Sequence, residues 1–362
     1  GNLPDFETDT ERTEDRYMDT REQWLRMIGT PENYSFIPSL RYIKTYHLQE
    51  LDVETYIQAN GPNTTQRLWI ALPKEIKEPL PAVAVPFYFP EAMLEFDPET
   101  GETLPRYQGI AMLRHLTARG FIAASADAYH LTYLKSERAR DDFGRWHDAA
   151  RALNREHPEW TGIGKLMADT RLLIDALVSD PRVDGERIGI AGHSLGGKMA
   201  FYAGCLDERV RVILASDFGI RWEQTNWEDP WYWGSKLDIL KDAGMDHGSL
   251  LSCAAPKPFC LIAGQYDNAE SYAMMPAAAV GASALAVRPS QRHSAPSRLT
   301  SRWPGFSNSC RRGPSDASTR PICASLRASC FGARATSASE RRPSGSAGSP
   351  PPASISAQWT GA

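Results

Sequence analysis

Between Pro81 and Ala263 short, unbroken apolar runs alternate with segments whose apolar residues recur at helical spacing. The runs Pro81–Pro86, Phe121–Ala126, Arg187–Ala191, Val210–Ala215 and Pro258–Ala263 predict strands buried on both faces. Between them, Gln108–Arg119 repeats Ile110, Leu113 and Leu116 on one face and ends at Gly120. Leu166–Val178 reads as a second helix, stopped by Asp180-Pro181 and Asp184-Gly185. Gly196–Cys205 reads as a third. Repeated strand–helix–strand units predict an α/β chain: a mostly parallel, doubly wound sheet with helices on both faces.

Upstream the pattern differs. Glu11–Ile28 places Tyr17, Trp24, Leu25 and Ile28 as the apolar points of an amphipathic helix. Tyr46–Gln58 and Gln66–Leu72 are strand-like and flank the turn-forming Asn60-Gly61-Pro62-Asn63. They predict an antiparallel hairpin at one edge of the sheet. Downstream, residues 217–255 form an insertion rich in large aromatics, among them Trp222, Trp227, Trp231, Tyr232 and Trp233. Two readings fit it: a substrate-pocket wall built from Trp227, Trp231 and Tyr232, or a small packed cap that never meets substrate.

From Pro276 the periodicity disappears. The last 87 residues contain 11 Arg, no Lys, one Asp and one Glu, a net charge of +9 against −13 for the rest and −4 overall. This divides the chain into an N-terminal helical extension (1–45), a core (46–275) and an Arg/Ser/Ala/Pro-rich tail (276–362). The tail composition fits a disordered basic segment. It also fits GC-rich codons read out of frame. Back-translating Arg302–Cys310 from the third base of the first codon permits Leu-Ala-Trp-Leu-Leu-Glu-Gln-Leu, an amphipathic helix, and favours the second reading.

Apolar content of 42% and charged content of 23% are those of a globular protein. No run is long enough to span a membrane. The acidic body argues against nucleic acid as a partner. Six Cys form no C-x-x-C pair and no metal-ligand spacing, so neither a metal nor another cofactor is expected. Gly162-Ile163-Gly164-Lys165 lacks phosphate-loop spacing and reads as the entry to the next helix. The first residues have no signal-peptide pattern, which predicts a cytoplasmic protein. The oligomeric state is not readable.

The chemistry is carried by Gly192-His193-Ser194-Leu195-Gly196. This is G-x-S-x-G set between a buried strand and a small-residue helix, the context of a nucleophile elbow. Ser194 is the expected nucleophile. The N–H of Leu195 is one expected oxyanion donor, and an N–H of Phe87 or Tyr88 the second, with the Tyr88 hydroxyl as an alternative. A serine nucleophile needs a base and an orienting acid. Asp267, after the strand Pro258–Ala263, is the expected acid; Glu270 and Asp217 are alternatives. The only His after Asp267 is His293, the candidate base. His193 is expected to pack beside the elbow. His130, His147, His157 and His247 read as loop or surface residues.

Gly192–Ala200, Asn226–Tyr232 and Ala255-Pro256-Lys257-Pro258 together resemble bacterial α/β-hydrolases of the dienelactone-hydrolase and acetylxylan-esterase-like group. The resemblance spans about residues 46–275. It implies hydrolysis of a small carboxylic ester through an acyl-enzyme, without metal or organic cofactor. Such proteins place a further helix and strand, and a His loop, after the acid. Here the tail departs from that pattern, which leaves a hydrolase without a working base as the alternative. A peptidase of the prolyl-oligopeptidase type is a further alternative, though the chain is too short for that family's propeller.

Overall fold

The computed structural model describes residues 11–29 and 39–263, with side chains from residue 20. Asp267, Glu270, His293 and the whole 276–362 tail lie outside them.

Eight strands form one sheet: β1 (Leu40–His47), β2 (Leu51–Ala59), β3 (Thr65–Pro73), β4 (Leu80–Ala84), β5 (Ile122–Ala126), β6 (Val183–His193), β7 (Val210–Ser216) and β8 (Phe259–Ile262). Their spatial order is β1-β2-β3-β5-β4-β6-β7-β8. The first three strands and β5 pair antiparallel, and β5, β4, β6, β7 and β8 pair parallel. The five continuous apolar runs thus become the parallel half. Helices cover both faces of such a sheet, so these strands alternate little. Ala82–Val85, Ile122–Ala124, Ile190–Ala191 and Ile213–Ala215 are all buried.

The antiparallel edge differs from expectation. Tyr46–Gln58 is two strands, not one, because the chain turns at Leu48-Gln49-Glu50, where the Leu48 N–H donates to the Leu51 carbonyl (3.0 Å). Leu51, Val53 and Thr55 then face the core in strict alternation, so β2 carries the buried face and β1 is a half-exposed edge. The hairpin joining β2 to β3 forms at the expected turn.

Helix α1 (Glu11–Ile28) has the predicted bounds. It is docked to the body: Trp24 and Ile28 are fully buried, and the Trp24 indole donates to Ser249 (3.1 Å). Helix α2 (Met112–Thr117) is shorter than predicted. Gly109 takes a positive φ of 91°, which breaks the helical path before Met112. Gly120 closes α2 with φ 80°, its N–H bonded to the Thr117 carbonyl. Then come α3 (Tyr129–Thr132), α4 (Phe143–Glu156), α5 (Gly162–Ser179) and α6 (Leu195–Leu206). Asp142 and Thr161 cap α4 and α5 through the N–H groups of Gly144 and Gly164. Gly162–Lys165 is the first turn of α5, and Lys165 is buried there against Asp169 (2.5 Å).

The 217–255 insertion contains α7 (Lys236–Asp242) and α8 (His247–Ser252). Its Trp side chains pack inward and are continuous with the main core beside α6. Trp222, Trp227 and Trp233 donate to the Met245 carbonyl, the Gly219 carbonyl and the Tyr202 hydroxyl at 3.0, 2.9 and 3.1 Å. His247 sits at the centre of this cap, not on the surface. It is 1% exposed, with its ring nitrogens against the Ile220 carbonyl (2.7 Å) and the Tyr202 hydroxyl (2.8 Å). His130 is also buried, boxed in by Tyr88, Tyr129 and Trp146. Only tertiary packing encloses both histidines. His147 and His157 are half-buried.

Candidate active site

Strand β6 is the middle strand of the parallel half of the sheet and ends at His193; α6 begins at Leu195. Ser194 makes the whole turn with φ 54° and ψ −119°, a conformation L residues rarely adopt. Two features hold it. The Ser194 N–H donates to the Ser216 carbonyl of β7 (2.9 Å). Glycines also let the flanking backbones touch: a Cβ on Gly192 would collide with the Gly196 carbonyl, and one on Gly196 with the Pro86 carbonyl. The sharp turn is therefore a consequence of side-chain-free contacts between β6, α6 and the end of β4. Ser194 is left at the carboxyl edge of the sheet, lining a pocket.

That pocket has a volume of about 120 Å³. Ser194, His193, Phe87 and Tyr88 form its floor, and its walls come from residues 106–110 together with Asp141 and Trp146. Tyr88 stacks on Trp146, ring centres 5.0 Å apart, and meets Phe87 edge-on at 4.7 Å. Burial pushes the Tyr88 hydroxyl well above the ordinary tyrosine range, while the adjacent Ser194 side chain pulls the other way. The Tyr88 hydroxyl is buried, stays protonated, and lines the pocket beside Ser194. Leu195, fully buried, presents its N–H at the first turn of α6, where helical N–H groups have no intrahelical acceptor. The structure so brings Ser194, Leu195, Phe87 and Tyr88 together.

Asp217 is the described carboxylate beside the elbow. It follows β7, takes φ 51°, and accepts a hydrogen bond from Ser216 Oγ (2.5 Å). His193 Nδ1 lies 2.9 Å from Ser216 Oγ and 3.3 Å from the Asp217 carboxylate. His193 packs beside the elbow and also lines the pocket.

Trp227, Trp231 and Tyr232 do not line this pocket. All three are buried within the cap. Two of them encase Lys198 of α6, whose ammonium lies 4.1 Å from the Tyr232 ring centre and 4.6 Å from that of Trp227. Its remaining partners are Thr225 Oγ1 (3.3 Å) and Asn226 Oδ1 (3.0 Å). Burial drives the Lys198 pKa down to about 7, against the pull of Asp229 and Glu228. Trp231 reaches the pocket only indirectly, by packing against Trp146 (5.6 Å).

The pocket walls were not foreseen from the sequence. Trp146 was findable: Asp142 as an N-cap, followed by Trp146, Ala149, Ala150 and Leu153 at helical spacing, marks α4. Arg106 and Tyr107 stand in the single 3-10 turn Pro105–Tyr107, which no periodicity announces, and Gln108, read as a helix start, is extended. Among the described residues no group of three or more His, Cys, Asp or Glu is placed to hold a metal ion, and no helix is long and apolar enough to cross a membrane.

No protein-family model matches the chain, and no curated protein sequence matches it. Solved structures do. A protein of Bacteroides fragilis assigned as an acetyl xylan esterase is 15% identical, with 77% of this chain and 74% of that one aligned and a TM-score of 0.57. A promiscuous CE15 esterase from a marine bacterial metagenome is 14% identical over 75% and 78% of the chains, TM-score 0.54. A CE15 glucuronoyl esterase from Teredinibacter turnerae is 17% identical over 75% and 73%, TM-score 0.52. The likeness establishes the fold, which is that of the α/β-hydrolases.

Proposed function

We propose that this protein is a serine hydrolase acting on carboxylic esters. The observation that carries this reading is the backbone of Ser194. A left-handed serine, wedged between two glycine contacts at the end of β6, has no structural use that a glycine would not serve better.

In this reading Ser194 Oγ attacks the ester carbonyl while a histidine takes its proton. The carbonyl oxygen becomes an oxyanion, stabilised by the Leu195 N–H and by the Phe87–Tyr88 turn. The tetrahedral intermediate collapses to an acyl-enzyme, and the histidine returns the proton to the leaving alcohol. Water then attacks the acyl group by the same route, releasing the acid and free Ser194. The assigned base is His293 and the orienting acid Asp267, both outside the described residues. Asp217 is the reserve acid. A carbohydrate ester is the substrate class this reading favours: the Tyr107 ring offers a stacking face, and Arg106, Gln108 and Asp141 offer hydrogen bonds. The structural neighbours named as carbohydrate esterases support the same class. The test is hydrolysis of a short-chain p-nitrophenyl ester. Turnover that vanishes in Ser194→Ala supports the reading, and turnover unchanged by it overturns it.

One observation favours a second reading. His293 is the only histidine after Asp267, and its surroundings carry no strand-like run. A chain without a working base would keep the elbow and pocket and bind rather than turn over. Measured turnover by this chain eliminates that alternative.

A further inference from the structure

The turn that carries Phe87 and Tyr88 is gripped from behind by a cluster of charges whose carboxylates are buried and whose arginines are partly exposed. At its centre is Arg67 on β3. Its Nε and Nη2 donate to the two oxygens of Asp127, both at 2.8 Å. Nη1 and Nη2 also reach the two oxygens of Glu91, at 2.5 and 3.0 Å. One guanidinium thus holds two carboxylates at once, each bidentate. Asp127 and Glu91 are only 4% and 5% exposed.

Both carboxylates belong to the chain that shapes the pocket floor. Glu91 lies three residues beyond Tyr88, in the single helical turn Pro90–Met93. Asp127 directly follows β5. Its own N–H donates to the Arg67 carbonyl (3.0 Å), and the Arg67 N–H returns a bond to its side chain (3.2 Å). The next residue, Ala128, donates its N–H to the Tyr88 carbonyl (3.0 Å). Arg140 completes the cluster with a contact to Glu91 (3.2 Å) and with its guanidinium 4.9 Å from the Phe89 ring centre. Three separate segments, β3, the end of β5 and the Phe87–Met93 turn, therefore converge on one side chain.

Charges are costly to bury, and an apolar cluster of the same volume would stabilise such a site at least as well. What paired, bidentate ions supply that apolar packing does not is direction. We infer that Arg67, by bridging Asp127 and Glu91, is a positioning residue that fixes the Phe87–Tyr88 turn against Ser194. This rests on the hydrolase reading above. The turn needs such fixing because an oxyanion donor works only where it is already aimed before charge develops.

A control is built into the fold. Arg182 makes a similar clamp on Glu54 (2.7 and 2.7 Å) and Asp180 (2.9 and 2.6 Å), but at the opposite end of β6 from Ser194. The experiment compares Arg67→Met, Arg67→Lys and Arg182→Met in the full chain. For each, thermal midpoint, p-nitrophenyl ester kinetics, final fluorophosphonate labelling and amide hydrogen exchange over residues 86–94 are measured. Arg67→Met is expected to keep its KM and its full labelled fraction while kcat falls by roughly tenfold or more, since small misplacements of catalytic groups cost about that much. Exchange over 86–94 rises in the same variant. Arg67→Lys keeps the charge but not the fork and falls between. Arg182→Met loses thermal stability with kcat and exchange over 86–94 unchanged. If Arg67→Met does not fold, Glu91→Gln carries the same comparison. The inference is overturned if the Arg67 variants change kcat and exchange no more than Arg182→Met does. A wild-type chain without turnover or labelling would remove the hydrolase reading instead, and the exchange comparison would still decide whether Arg67 fixes the turn.

Discussion

Lys198 lies one helical turn beyond Ser194, its N–H bonded to the Ser194 carbonyl (3.0 Å), and its ammonium sits 4.1 Å from the centre of the Tyr232 ring. The same helix that presents the nucleophile is thereby pinned to the aromatic cap. The pin is electrostatic in a dry place, and this makes it sensitive to pH. Folding lowers the Lys198 pKa from about 10.5 to about 7. Between those values the unfolded chain binds a proton that the folded one sheds, so stability rises with pH. The unfolding free energy of wild type minus Lys198→Met should climb by about 1.4 kcal/mol per pH unit between pH 7 and 10. Denaturant titrations across that range measure it. A flat difference would show that Lys198 stays charged inside the cap.

The elbow makes a steric prediction. Gly196 faces the Pro86 carbonyl with no room for a methyl group. Gly196→Ala should cost about 1–3 kcal/mol, as overpacking of a tight contact does. Labelling of Ser194 should fall with it, since the contact joins the nucleophile helix to the strand before the Phe87–Tyr88 turn. Urea denaturation and probe labelling of one preparation check both. Normal stability and normal labelling would mean that the contact gives way without consequence.

His130 predicts acid behaviour. Burial drives its pKa down to about 3, and neither ring nitrogen has a partner among the described residues. Below its unfolded value of about 6.5 the unfolded chain takes up a proton that the folded one refuses. The associated stability is complete above pH 6.5 and is lost as pH falls toward 3. At pH 5 the loss is about 2 kcal/mol. His130→Phe should remove that part of the pH dependence. If its acid unfolding follows that of wild type, His130 is not held neutral in the folded state.

The pocket and the cap should separate kinetically. Tyr107 lines the pocket, half-buried, and Trp227 does not. Tyr107→Ala should raise KM for an aromatic or sugar ester by about tenfold, the worth of one aromatic contact. Trp227→Phe should lower the thermal midpoint and leave KM alone. The reverse pattern would return Trp227 to the substrate wall.

The parallel half of the sheet was legible because burial on both faces forces unbroken apolar runs such as Phe121–Ala126. The elbow was legible because its chemistry and its steric demands fall on consecutive residues, Gly192 to Gly196. The β1–β2 turn was not, since Gln49-Glu50 lacks Gly, Pro or Asn to announce it. The pocket was only half legible. Phe87 and Tyr88 follow a predicted strand, but Arg106 and Tyr107 lie in a short 3-10 turn with Gln108 just after it, where only tertiary structure decides which side chains face inward. The 217–255 aromatics left two readings open for the same reason. Composition marks Trp227 and Tyr232 as a cluster and does not say that the cluster closes around Lys198. Asp267 and His293, read from chain order alone, lie outside the described residues.

The central claim is that Ser194 is an activated nucleophile. Reacting the purified, folded chain with a fluorophosphonate probe and mapping the adduct by mass spectrometry tests it directly. A single adduct on Ser194, absent in Ser194→Ala, is the predicted result. A folded chain that stays unlabelled, or carries its adduct on another residue, would contradict it.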